Sequence, residues 1–212
     1  MSRGKFISLE GGEGVGKSTQ LAKLADALRE RALTVVTTRE PGGTPGAEAI
    51  RELLLHHTGD AWGERAEALL FAAARSDHVE KKITPALERG EWVLCDRFID
   101  STRAYQGGGG GLDDDAIMML HAVGSKGLLP DITILLQADQ AATASRLVER
   151  DGSDSDRIGG RDAAYHARVA SAFAELAKAE PHRFVTIDGS GEADEVHAAI
   201  MRAIDDRLGG NP

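Results

Sequence analysis

The sequence is sparing in several residue types, and each shortage excludes something. A single cysteine, Cys95, stands among 212 residues. It rules out an internal disulfide and fits a reducing compartment. Its place in the apolar run Trp92 to Cys95 marks it as a packed strand thiol. No apolar run approaches the roughly 18 to 20 residues needed to span a bilayer. The few apolar residues before Glu10 are too short for the core of an export signal. Basic residues are the minority, 25 against 34 acidic, for a net charge of −9. Such a surface repels polyanions, which argues against nucleic acid and anionic membranes as partners. Small phosphorylated ligands remain open to any local cluster of arginines. The expectation is a cytoplasmic protein. The 7 histidines have no metal-ligand spacing, and the Asp-rich stretch 151–160 lacks the alternate acidic ligands of a calcium loop.

What is present alternates. Runs rich in β-branched or apolar residues occur at Phe6 to Leu9, Thr34 to Thr37, Trp92 to Cys95, Ile132 to Leu136 and Phe184 to Ile187. Most are continuously apolar, as in a parallel sheet covered on both faces. Helical spacing lies between them. Leu21, Leu24, Ala25 and Leu28 share a face, and so do Leu69, Leu70, Ala73 and Ala74 in a helix starting near Trp62. Val196, Ile200, Ala203, Ile204 and Leu208 mark a final helix. The alternation predicts one α/β unit over residues 1–212: a doubly wound, five-stranded parallel sheet flanked by helices. Ligands on such folds sit outside the carboxyl ends of the strands. Gly107 to Gly111 and Asp151 to Gly160 read as loops, the latter a mobile surface lid at about 150–160.

Several motifs carry chemistry. "GGEGVGKS", Gly11 to Ser18, has P-loop spacing between a strand and a helix. Backbone N–H groups of Gly11, Gly12, Glu13, Gly14, Val15 and Gly16 would cradle phosphates together with Thr19, on the helix that begins near Lys17. Lys17 adds a point charge, and Ser18 offers its hydroxyl to Mg²⁺. Glu13 is the odd member, a carboxylate in an anion-binding loop. At the end of the third strand, Asp96 could hold the metal through water and Arg97 could bridge phosphoryl groups bidentately. Alone, this pair reads equally as a surface ion pair. "TREPGGTP" turns at the same edge of the sheet and sends Arg39 toward that region, although a lone loop arginine is more often solvated. Phe71 and Arg75 stand four apart on a helix. They could stack on a base and bond its edge, or be a core ring beside an exposed arginine; spacing leaves both open. Arg146, Arg150, Arg157 and Arg161 flank or lie in the lid, where arginines can neutralise transferring phosphates. Arg150 and Arg157 stand nearest the loop and Arg161 farther from the chemistry.

Together these stretches resemble the thymidylate kinase family. "EGGEGVGKST", "TREPGGT", "LLFAAAR", "DRFIDSTRAYQGGG" and the lid ending "DRI" follow in the family's order from Glu10 to Ile158. The resemblance implies ATP-driven, Mg²⁺-dependent phosphorylation of dTMP to dTDP by a homodimer. It implies that Glu13 reads the acceptor sugar, which would explain a carboxylate in that loop. It implies that Phe71 stacks on thymine and Arg75 bonds its carbonyl edge. Thr102 and Gln106, beside Ser101, would form the wall of the base pocket, and Tyr105 would pack on the deoxyribose. Arg39, Arg51 and Arg97 would surround the acceptor phosphate. The P-loop holds no arginine, so Arg150 and Arg157 identify the lid-arginine type. Two departures stand out. Gly159 occupies a position often acidic in the family, and the run of five glycines is longer than usual, which predicts a mobile loop. Another pyrimidine monophosphate kinase is an alternative. A P-loop switch is another, but the chain has no Asn-Lys-x-Asp guanine motif.

Overall fold

A computed structural model describes residues 3–56, 62–138 and 158–209. The strands are β1 (Phe6–Glu10), β2 (Val35–Arg39), β3 (Trp92–Asp96), β4 (Ile132–Gln137) and β5 (Phe184–Asp188). They form one sheet in the order β2-β3-β1-β4-β5, every pairing parallel. The central strand β1 is buried along its whole length, so even its polar residues, Ser8 and Glu10, are enclosed. Each expected strand lies within a residue or two of its observed bounds.

The helices in the described residues are α1 (Lys17–Glu30), α2 (Pro45–Leu55), α3 (Glu64–His78), α4 (Thr84–Glu88), α5 (Ile99–Thr102), α6 (Asp114–Ser125), α7 (Ala163–Ala179) and α8 (Ala193–Leu208). On one face of the sheet, Leu24, Ala25 and Leu28 of α1 meet Val196, Ile200 and Ile204 of α8 over Ile7, Leu9, Leu94 and Ile134. Each such leucine or isoleucine contributes roughly 1.5–3 kcal/mol by leaving water. On the other face Phe6, Val93, Cys95 and Phe98 pack with Ile83, Leu87 and Ile117. Cys95 is a free, buried thiol.

Local chemistry sets the helix ends. Thr44 caps α2 by accepting from the Ala47 N–H, with Pro45 as its first residue. Asp162 caps α7 by accepting from the Tyr165 N–H at 2.7 Å. Between α3 and α4 the coil widens into a π turn over Val79–Ile83, just ahead of Pro85, which has no N–H to continue the α pattern.

Two expectations need correction. The buried stripe of α3 is Glu67, Ala68, Phe71, Ala74, Arg75 and His78; Leu69 is 54% exposed and Ala73 is exposed as well. The helix begins at Glu64, after Trp62, whose indole donates to the Leu53 carbonyl. Gly107 to Gly111 is a loop only at its end, Gly110 and Gly111. A second π segment runs over Arg103–Gly109, and Gly107 and Gly109 are buried. The reason is a close approach: a Cβ at Gly108 would lie 2.3 Å from the Ala172 Cβ, and one at Gly109 would lie 2.6 Å from the Tyr165 ring. The glycines let α7 seat directly on this segment.

Candidate active site

The carboxyl ends of β1, β2 and β3 open into a cavity of about 510 Å³. Glu13, Gly14, Gly16, Lys17, Ser18 and Thr19 line one end of it. Phe71, Arg75, Thr102, Tyr105 and Gln106 line the same cavity, as do Arg39, Arg51, Asp96, Arg97 and Ser101. Residues from four sequence motifs, with Arg51, thus meet in one hollow. Gly11 and Gly12 contribute carbonyls instead: the Lys17 ammonium donates to both, at 3.2 Å to that of Gly11. Val15 turns its side chain into the core beneath the loop. Arg150 and Arg157 lie outside the described residues, as does Arg146.

The phosphate end is cationic and tightly held. Burial first, and the Arg97 charge second, pull the Lys17 pKa down to about 7. The Ser18 hydroxyl donates to Asp96 Oδ2 at 2.9 Å, while Asp96 Oδ1 is buried with no partner. A strand-end carboxylate with one spare buried oxygen beside a P-loop hydroxyl fits a hydrated divalent cation. Arg97 takes a left-handed backbone, φ 68°, which turns its guanidinium back over the sheet. There Nη1 donates to the Gly11 carbonyl and to the Ser101 hydroxyl, both at 3.1 Å, and the head lies 5.0 Å from the Tyr105 ring centre. Arg39 forks onto both oxygens of Glu48 at 3.2 Å, and Arg51 donates to the Pro41 carbonyl at 2.7 Å.

The other end is a ring and an arginine held by buried partners. Arg75 is 3% exposed, so it is not the solvated arginine that spacing alone allowed. Its Nε donates to Glu40 at 2.7 Å and its Nη2 to the Thr102 hydroxyl at 2.7 Å and the Phe98 carbonyl at 3.3 Å. Glu40 also bonds His78 at 2.9 Å. Burial would raise the Glu40 pKa, but Arg75 and His78 outweigh it and hold the carboxyl below its usual range.

Sequence reasoning missed these supports. Glu10 accepts from the Phe98 N–H at 2.7 Å and from the Ser101 hydroxyl at 2.6 Å. Burial, then Asp100, raises its pKa to about 8. Glu67 lies in none of the motifs, and His78 closes the helix motif of Phe71 and Arg75 without a role being legible there. Pro41, Leu55, Phe98 and Ile158 line the cavity too. The stretch Asp151 to Gly160, expected as a surface lid, lies mostly outside the described residues. Of its described end, Ile158 is buried against the cavity, Gly159 is half-buried and Gly160 is exposed. Gly159, the departure from the family pattern, lies beside the P-loop carboxylate. A Cβ there would lie 2.6 Å from Glu13 Oε2, so a side chain at this position would require the flexible Glu13 carboxylate to shift. Arg161, set farther from the chemistry by its sequence position, pairs with Glu67 at 2.7 Å.

Comparison with known proteins then decides the family. A family model described as thymidylate kinase matches residues 9–200. The chain belongs to the thymidylate kinase family. It is 57% identical over 205 residues to the thymidylate kinase of Rhizorhabdus wittichii, covering 97% of this chain and 99% of that one. It is 47% identical over 211 residues to the thymidylate kinase of Caulobacter vibrioides, covering 99% and 100%. Among solved structures, the crystal structure of thymidylate kinase from Ehrlichia chaffeensis superposes with a TM-score of 0.77 at 33% identity, covering 95% of this chain and 99% of that one. Among the described residues, no helix is long and apolar enough to cross a membrane.

Proposed function

We propose that this chain transfers the γ-phosphoryl group of ATP to the phosphate of dTMP, giving dTDP and ADP. The observation that carries the reading is the single cavity that joins a P-loop to a ring-and-arginine pocket in a member of this family. In this reading the P-loop amides, Lys17 and Thr19 hold the donor phosphates. Phe71, Arg75, Thr102 and Gln106 hold the base, Tyr105 and Glu13 hold the sugar, and Arg39, Arg51, Arg97 and Ser101 hold the acceptor phosphate. That phosphate, with a second pKa of about 6, is already a dianion near neutrality and needs no strong base. Catalysis is then positioning plus charge neutralisation. Lys17 and Arg97 supply cations at the transferring group, and Arg150 and Arg157 keep the neutralising role that the family pattern assigns them. Mg²⁺, when bound, would neutralise phosphate charge; Ser18 would hold it, and Asp96 would do so through water.

The same reading makes the chain one catalytic unit, cytoplasmic, working as a homodimer. Support for the dimer comes from α3 and α6, which pack side by side. Together they expose Leu69 and Ala73, and Met119 and Val123 at 69% and 82%. Coupled ADP release with dTMP, dUMP, dCMP, dAMP, dGMP and UMP tests the activity. The expected result is strong preference for dTMP with UMP poor. ADP release independent of any acceptor would sink the kinase reading, and a different favoured monophosphate would keep the phosphate roles but overturn the base pocket.

A further inference from the structure

Glu67, Phe71 and Arg75 stand at intervals of four along the buried stripe of α3. Thr102 and Gln106 stand four apart on the helical segment that faces it. The two ladders are bonded at both ends. Arg75 donates to Thr102 at 2.7 Å, and Gln106 Nε2 donates to Glu67 Oε1 at 2.9 Å. Glu67 is buried, and its two oxygens also take Arg161 Nη2 at 2.9 and 2.7 Å. A carboxylate paired with a guanidinium offers acceptors only. Turning the Gln106 amide over would set its carbonyl against that carboxylate, so its Nε2 stays on Glu67 and its Oε1 is left to the cavity that Gln106 lines. The pocket therefore presents a donor from Arg75 at one end and an acceptor from Gln106 at the other.

We propose that Glu67 is a positioning residue for base selection: by fixing the orientation of the Gln106 amide, it makes the pocket accept an imide edge and refuse an aminopyrimidine edge. An imide places a carbonyl beside an N–H, complementary to the donor and acceptor of this wall. Cytosine presents an amino donor beside an unprotonated ring nitrogen, the reverse pattern, and would leave buried groups unpaired. This rests on the base-pocket reading above and adds to it what sets the sense of the amide. Arg161 extends the device. It holds Glu67 from the residues that follow Ile158 and lies 4.5 Å from the centre of the Tyr165 ring, whose hydroxyl donates to the Tyr105 carbonyl at 2.9 Å.

The test compares Glu67→Gln with Glu67→Asp in full-length protein, reading kcat/KM for dTMP and dCMP and KM for ATP. In Glu67→Gln, Arg161 claims the one carbonyl oxygen, the new amide donates toward Gln106, and the Gln106 amide turns. The expected ratio of dTMP to dCMP efficiency falls about tenfold or more, mostly through KM, with KM for ATP unchanged. Glu67→Asp remains acceptor-only, so it loses efficiency with dTMP but still excludes dCMP. A purely structural role would move both variants alike, and that result overturns the proposal. So does a Glu67→Gln effect on the ratio that persists undiminished in a Gln106→Ala background. Wild-type protein indifferent between dTMP and dCMP would instead remove the parent reading. A wild-type preference that survives Glu67→Gln removes only the role of Glu67.

Discussion

Lys17 carries a measurable electrostatic consequence of its surroundings. Burial first and Arg97 second pull its pKa to about 7, against partial restoration by Asp96, Glu10 and Glu13. A bound triphosphate brings negative charge to the ammonium and raises that pKa toward the ordinary value of about 10.4. Between these limits the complex holds a proton that the free protein lacks. ATP binding therefore takes up a proton, and affinity falls as pH rises above about 7. Calorimetry of ATP binding at pH 8, in buffers of unlike ionisation enthalpy, should give unequal apparent heats; equal heats would mean that Lys17 is already charged. Other residues of the site were legible only in part. Lys17, Ser18, Asp96 and Arg97 announce themselves because phosphate chemistry needs those groups at those spacings. Glu10 and Glu40 stand inside the same motifs, yet nothing in the sequence says that their oxygens face inward to bond Ser101 and Arg75.

At the level of elements, the strands were readable because β1 and β4 are short, mostly apolar runs bounded by polar or glycine-rich stretches. The face of α3 was not. A count of apolar residues selects Leu69 and Ala73, whereas the helix buries Glu67, Arg75 and His78. Those charges are affordable inside only because partners distant in sequence, Glu40 and Gln106 among them, satisfy them. Periodicity cannot foresee a polar core. The glycine run misled for a related reason, since glycine marks a loop or a close contact with equal force. Gly108→Ala decides between them. Its methyl would meet the Ala172 methyl in α7, so we expect a loss of about 1–3 kcal/mol. Differential scanning calorimetry should show it as a Tm lowered by about 2–4 °C per kcal/mol. An unchanged Tm would mean that α7 is not seated as described.

At the scale of the whole molecule, the exposed side chains of α3 and α6 set a prediction about assembly. Val123→Asp puts a charge on the most exposed large apolar side chain of the described residues, so nothing within the chain should be disturbed. We expect sedimentation equilibrium to give a dimer for the native protein and a monomer for the variant. A native protein that sediments as a monomer at micromolar concentration would remove the dimer from the proposal.

The order of strands has one more consequence, for how the protein comes into being. β1 is made first and lies in the middle of the sheet, between β3 and β4. With every pairing parallel, no hairpin can form while the chain emerges. Neither neighbour of β1 exists before residue 92, and the second is incomplete until residue 137. At roughly 5–20 residues per second, the apolar strand leading into the P-loop waits several seconds for its partners. The phosphate-binding loop is thus the earliest part of the site to be synthesised and among the last to take shape, and a ribosome-bound chain stopped before β4 would present an unpartnered strand where the finished enzyme keeps its centre.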